Sequence, residues 1–178
     1  MVDNRRPFSE THPHLIGFSD FLDDFNEETE RGAALAAAAM LDDQLGKIIE
    51  AFLIPNKGSQ ALLSGFNAPL GSFSARIAAA FGLGLISEAE YRECELIRKV
   101  RNEFAHRIKV SFATEKVVGL CAQLQMAVKP YADVKPYADV KVNTRGQFTT
   151  AAVALVLNLT NRPHYVGQRR LLAVEWKI

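Results

Sequence analysis

The stretch ERGAALAAAAMLDDQLGKIIEAFL, residues 30–53, decides the fold class. Leu35, Ala38, Ala39, Leu45, Ile48, Ile49 and Phe52 recur at three- and four-residue steps, the period of a helix with one buried face. Pro55 supplies the stop, because proline lacks the amide donor that a continuing helix needs. The alanine run leaves little side-chain volume, so a neighbouring helix can approach closely. The pattern on either side of this stretch predicts a mainly α, single-domain helical bundle of about five to six helices. A short extended C-terminal tail closes the chain.

Upstream, residues 1–17 carry Pro7 and His12-Pro13-His14 without periodicity and read as a loose leader. Ser19 is placed to cap a first helix over about 19–29, with Phe21, Leu22 and Phe25 on its apolar side. Downstream, the prolines and glycines of 55–71 predict a loop with one helical turn at Gln60 to Leu63. Ser72 or Ser74 opens a short helix that runs to about Phe81. Gly82 and Gly84 end it, and Gly82-Leu83-Gly84 reads as a helix C-cap rather than a phosphate cradle. Ser87-Glu88-Ala89-Glu90 is a capping box for a helix reaching about residue 107. A further helix is expected over about 114–127, with Val117, Val118, Leu120, Cys121 and Leu124 at helical steps.

Lys129 to Val134 reads Lys-Pro-Tyr-Ala-Asp-Val, and Lys135 to Val140 repeats it. Six residues do not make whole helical turns, so a loop duplication is the simplest reading. Asn143 or Thr144 caps a last helix to about Asn158, with a strand as competitor because of Val153 and Val156. The helical domain thus spans 18–160, and 161–178 is a C-terminal extension: a basic loop with Arg162, Arg169 and Arg170, then an extended segment from Leu171.

Among 178 residues, 48% are hydrophobic, enough for a packed core. Lysine and arginine number 21 against 20 acidic residues, a net of +1 that excludes a broad polybasic nucleic-acid coat. A local basic site stays open. The longest uncharged apolar runs, Gly32 to Leu41 and Ile77 to Ile86, have ten residues each, half of what a bilayer requires. Cys94 and Cys121 sit in no metal-ligand or disulfide spacing and read as small core residues, so no metal site is expected. With no secretory signal read at its start, a cytoplasmic setting without membrane contact is expected. No phosphate-binding loop, dinucleotide fingerprint, zinc-protease motif or nucleophile elbow occurs, so no cofactor is expected. Asp42-Asp43 reads as a solvated face or a helix–helix hydrogen bond before a paired catalytic carboxylate.

Chemistry, where present, concentrates in residues 91–109. On a helical wheel, Leu96, Ile97, Val100, Phe104 and Ile108 share the core side. Arg98, Asn102, His106 and Lys109 fall opposite, flanked by Lys99 and Arg101. A solvated surface is one explanation of that face. A site is the other. Arg101 can fork two donors onto a phosphate, His106 can exchange a proton near neutral pH, and Asn102 is placed to orient the imidazole. These groups suffice for metal-independent RNA cleavage, His106 moving the proton and Arg101 stabilising the phosphorane. Arg101 and His106 stand about 140° apart on an ideal helix, however, so convergence needs a helix end or a second copy.

Several blocks read together as words: Glu30-Arg31-Gly32-Ala33-Ala34-Leu35, Ala39-Met40-Leu41-Asp42, Ala68-Pro69-Leu70-Gly71-Ser72-Phe73-Ser74-Ala75-Arg76-Ile77, Leu83-Gly84-Leu85-Ile86 and Ile97 through His106. In this order, over about residues 20–128, they resemble the mannitol operon repressor family. The resemblance implies an all-helical bacterial protein that self-associates and regulates transcription without a recognisable helix-turn-helix. Arg101-Asn102-x-x-x-His106 is separately similar to the signature of the HEPN superfamily, helical proteins that include metal-independent ribonucleases acting as dimers. Two functions follow. The first is a regulator working through protein contacts, with Arg76, Arg98, Lys99, Arg101, Asn102 and His106 on its binding surface and nucleic acid limited to a local site. The alternative is a ribonuclease with Arg101, Asn102 and His106 catalytic.

Residues 69–77 are expected to pack on the 87–107 helix, with Phe73 and Ile77 inward and Arg76 near its polar face or paired with an acidic residue, Glu95 and Glu103 being in reach. The apolar perimeter of the 30–53 helix exceeds what one neighbour covers, so a homodimer or larger homo-oligomer is expected. Light scattering at micromolar concentration should give a mass well above the 19.7 kDa of one chain, and a mass near 20 kDa contradicts this.

Overall fold

The computed structural model describes residues 21, 22, 25–127 and 143–176. Within them, after a helical stretch that ends at residue 27, the chain forms seven helices: α1 (Glu30–Phe52), α2 (Lys57–Leu63), α3 (Phe73–Gly82), α4 (Glu88–His106), α5 (Glu115–Cys121), α6 (Thr144–Thr160) and α7 (Arg162–Gly167). No strand occurs among the described residues. None of these helices is long and apolar enough to cross a membrane. The leader 1–17, the Ser19 cap and the duplicated hexapeptide lie outside the described residues.

α1 is the hub, packing against α2, α3, α4, α6 and α7. Thr29 caps it by accepting from the Gly32 amide at 3.0 Å, so the preceding helical stretch ends at residue 27 rather than 29. Its buried face is Ala33, Ala34, Ala37, Ala38, Leu41, Gln44, Leu45, Ile48 and Ile49. Leu35 and Ala39, expected on that face, are exposed. The stripe therefore begins on the alanines, and the small side chains rather than Leu35 meet the neighbouring helices.

Three further expectations are corrected. Residues 57–63 make a full two-turn helix instead of one turn, because the Asn56 side chain accepts from the Ser59 amide at 3.0 Å. α5 ends at Cys121, and residues 122–127 continue as turns rather than helix, although Leu124 is still buried. Arg162 opens α7 instead of lying in a basic loop. Its guanidinium pairs with Glu90 at 2.6 Å and donates to the Leu85 carbonyl at 2.9 Å, while Val166 enters the core. Beyond α7, residues 170–176 have no regular structure and are exposed. α6 starts at Thr144 under an Asn143 cap and is helical throughout, so the strand alternative fails.

α3 ends in a Schellman arrangement: the Leu85 amide donates to Ala80 O, the Gly84 amide to Phe81 O, and Gly84 takes φ +70°. α3 packs on α4 with Ile77 buried and Phe73 half-buried. Arg76 is paired with an acidic residue, as expected, but on α1 rather than at Glu95 or Glu103. It pairs with Asp42 of α1 at 2.9 Å and donates to the carbonyls of Leu70, Asp42 and Leu63. The guanidinium lies over Gly46, where a Cβ would make ordinary van der Waals contact at 3.4 Å. Asp42 is thus a helix–helix partner, and Asp43 pairs with Lys47 along α1.

Phe104, Phe112 and Phe148 form a chain of tilted rings, at 5.0 and 5.3 Å, joining α4, the segment before α5 and α6. Both cysteines are buried and free, and desolvation pushes each thiol up to about 12. Glu93 is buried and accepts from the Gln125 amide at 2.6 Å, tying α4 to the turn after α5. Its burial raises the carboxyl above its ordinary range, against the opposing backbone hydrogen bonds. Phe104→Ala should cost about 3–5 kcal/mol by urea unfolding, as expected of a fully buried aromatic that leaves a cavity. A loss below about 1 kcal/mol would show that this ring chain does not hold the core.

Candidate functional site

The candidate site is the polar face of α4 and the turn that follows it. α4 begins with the capping box read from sequence: the Ser87 hydroxyl accepts from the Glu90 amide at 3.3 Å, and Glu90 accepts from the Ser87 amide at 2.7 Å. Leu96, Ile97, Val100 and Phe104 are buried, which orients the helix. Lys99, Arg101 and His106 then stand exposed, with Arg98 and Asn102 half-buried. Ile108, placed on the core side by the wheel, is 95% exposed. The reason is that α4 stops at His106, so the wheel no longer applies two residues later.

The polar side chains of this face differ in how they are held. Glu95 grips Arg98 through two bonds, Nε to Oε1 at 2.9 Å and Nη2 to Oε2 at 2.8 Å. That pairing lowers the Glu95 carboxyl and raises the Arg98 guanidinium from their ordinary values. Arg101 donates to Asn102 Oδ1 at 3.1 Å, so the Asn102 acceptor faces Arg101 rather than the imidazole of His106. Glu103 bridges Lys116 of α5 at 2.6 Å and Arg107 at 3.0 Å. The Lys116 hydrogen bond, with the nearby charges of Arg107, Lys116 and His106, holds its carboxyl below the usual range.

The end of α4 is also reached from α1. Arg31 donates through Nη1 to Phe104 O, and through Nη2 to Arg107 O at 2.7 Å and Ile108 O at 3.0 Å. Next to it, Glu30 accepts from the Phe112 amide at 3.1 Å. Neither residue was singled out by periodicity. The signal available was the Glu30-Arg31 word in the resembling blocks. Arg76, expected on the same surface, is not brought there: its guanidinium lines a separate cleft of about 620 Å³ between α1 and α2. Lys99 instead borders an open groove of about 940 Å³ between α4 and residues 122–125.

Electrostatically, this end of the molecule departs from the balanced whole. From Glu95 to Lys116 there are six lysines and arginines against three glutamates, Glu95, Glu103 and Glu115, with Glu95 held on Arg98. One of those glutamates is already bridged between two cations. The arrangement can attract an acidic or phosphate-bearing surface. On an ideal helix about 140° separates the directions of Arg101 and His106, so acting on one phosphate would need a second copy or a helix end.

No protein-family model matches the chain, and no curated protein is significantly similar to it in sequence. Among solved structures, a chain of the MtlR–HPr complex from Escherichia coli shares the fold, with a TM-score of 0.58 and 22% identity. The match covers 84% of this chain and 97% of that one. It establishes an MtlR-like helical arrangement.

Exposure of Arg101 and His106 makes a stability role small. Arg101→Ala and His106→Ala should each unfold within about 0.5 kcal/mol of the parent in urea. A loss of about 1–3 kcal/mol for His106→Ala would instead show a structural imidazole whose partner is left unpaired.

Proposed function

We propose that this chain is a transcriptional regulator of the mannitol operon repressor type, acting through a protein partner that docks on the exposed end of α4. The observation that carries the reading is the concentration of positive charge there on a chain of net +1. Charge confined to one helix end suits an acidic patch on another protein better than an extended nucleic-acid backbone, whose binding rests on many phosphate contacts. The fold likeness supports it, since the matched structure is a complex with HPr. By that analogy the partner is an HPr protein, met by Lys99, Arg101, Asn102 and His106. Arg98 contributes through its Glu95-bound guanidinium edge. Self-association belongs to the same reading.

The ribonuclease alternative needs Arg101 of one copy and His106 of another to converge. It has a distinct signature in solution, so one set of assays decides. The purified chain is titrated with HPr from its own organism, and separately incubated with labelled RNA in EDTA. The expected outcome is saturable HPr binding that weakens with salt, and intact RNA. Arg101→Glu should weaken that binding about tenfold, or about 1.4 kcal/mol. RNA cut in EDTA, and spared by Arg101→Ala and His106→Ala, would establish the ribonuclease instead. Absence of both binding and cleavage would overturn the assignment of this face.

A further inference from the structure

We propose that Arg31 is a positioning residue for the α4 site: from the first turn of α1 it fixes where α4 ends and how His106, Arg107 and Lys109 are presented. This rests on the reading of that helix end as the contact surface, and it adds the element that holds the surface in shape. The last carbonyls of a helix have no amide partner within the helix and must be met from outside. Here one guanidinium meets three acceptors, Phe104 O, Arg107 O and Ile108 O, which straddle the end of α4 at His106. Only a planar fork with donors on both terminal nitrogens spans them together.

The neighbouring residue completes the clamp. Glu30 holds the Phe112 amide at 3.1 Å, so two consecutive residues of α1 grip both ends of the 104–112 segment. Between the grips, Arg107 adopts extended backbone, with φ −115° and ψ 133°, and Ile108 and Lys109 are exposed. The local electrostatics agree. The positive charge of Arg31 lies against the negative end of the α4 dipole, while Glu30 sits in the first turn of α1 where negative charge is favoured. The contact joins residues 73 to 77 positions apart, so it ties the site to the hub helix rather than to its own surroundings.

On this view Arg31 does not touch the partner. It acts through the residues it holds, and its removal should loosen the site without loosening the bundle. Amide exchange and the His106 ring signals in NMR test this in the full chain without any partner. In Arg31→Ala, the amides of His106 and Arg107 should exchange at least roughly tenfold faster, since they are the last turn of α4. The His106 ring signals should shift or broaden, while Ile97 and Val100 amides keep their parent protection. Arg31→Lys, which keeps the charge but not the fork, should behave like Arg31→Ala. Unchanged exchange at His106 and Arg107 would overturn the proposal, as would equal acceleration throughout α4. Full recovery by Arg31→Lys would overturn the role of the fork, leaving only charge at the helix end. Titration with HPr forms a separate arm. Weakened binding by Arg31→Ala alongside local fraying supports positioning for that partner. Unchanged binding with local fraying would overturn it. A parent chain that fails to bind HPr counts against the proposed function, while the NMR arm still judges the clamp.

Discussion

The constraint on which the structure depends is the alanine face of α1. Ala33, Ala34, Ala37 and Ala38 are buried to within a few per cent of full enclosure, so the helices around them approach over small side chains. Bulk is then supplied by the partners. Phe104 of α4 and Phe148 of α6 meet through Phe112, in the same buried cluster as these alanines. A large residue on this part of α1 would have to displace whole helices, since packed interiors accommodate added volume poorly. Further along, Leu41, Leu45, Ile48 and Ile49 take over, and α1 becomes an ordinary large-residue core helix.

Close packing of helix ends creates a second problem, because terminal carbonyls enter the contact zone. Leaving such a group buried and unpaired costs about 1–3 kcal/mol, more than a formed hydrogen bond contributes. Three arginines reach distant carbonyls, some at helix ends and some in loops or within a helix. Arg76 meets carbonyls from three positions as well as Asp42, Arg162 meets Leu85 O as well as Glu90, and Arg31 meets the end of α4. Each combines fixed charge with several donors in one plane, which lysine cannot reproduce. The cations left on the exposed face of α4 are in a different situation. Lys99 and Arg101 project from a helix whose other side is locked into the core, so their position is set by packing they do not share.

That separation links fold to function. A docking face gains from rigidity behind it, since less ordering remains to be done on binding. α4 is anchored at its start by the Ser87–Glu90 box and Arg162, along its length by the core, and at its end by Arg31 and Glu103. The charge-bearing face is therefore held on a stiff support, which suits recognition of a partner. Chemistry within one chain would ask for Arg101 and His106 to converge across about 140° of ideal helix.

Much of this was legible in local sequence. The period of 30–53, the Ser87-x-x-Glu90 box and the wheel of 91–106 determine α1, the start of α4 and the exposure of Arg101 and His106, because each depends on residues within a turn or two of one another. The Gly82-Leu83-Gly84 ending belongs to the same class. Tertiary structure decided the rest. Leu35 turned outward because the bundle closes on the alanines, and Ile108 because α4 ends before it. Arg76 found Asp42 rather than Glu95 or Glu103, and Arg162 became the start of a packed helix through Glu90. Arg31 reached carbonyls more than seventy residues away. Periodicity states which residues share a face, but not which face a distant helix will choose or which acceptors a long side chain will reach. Those choices are made only when the elements come together.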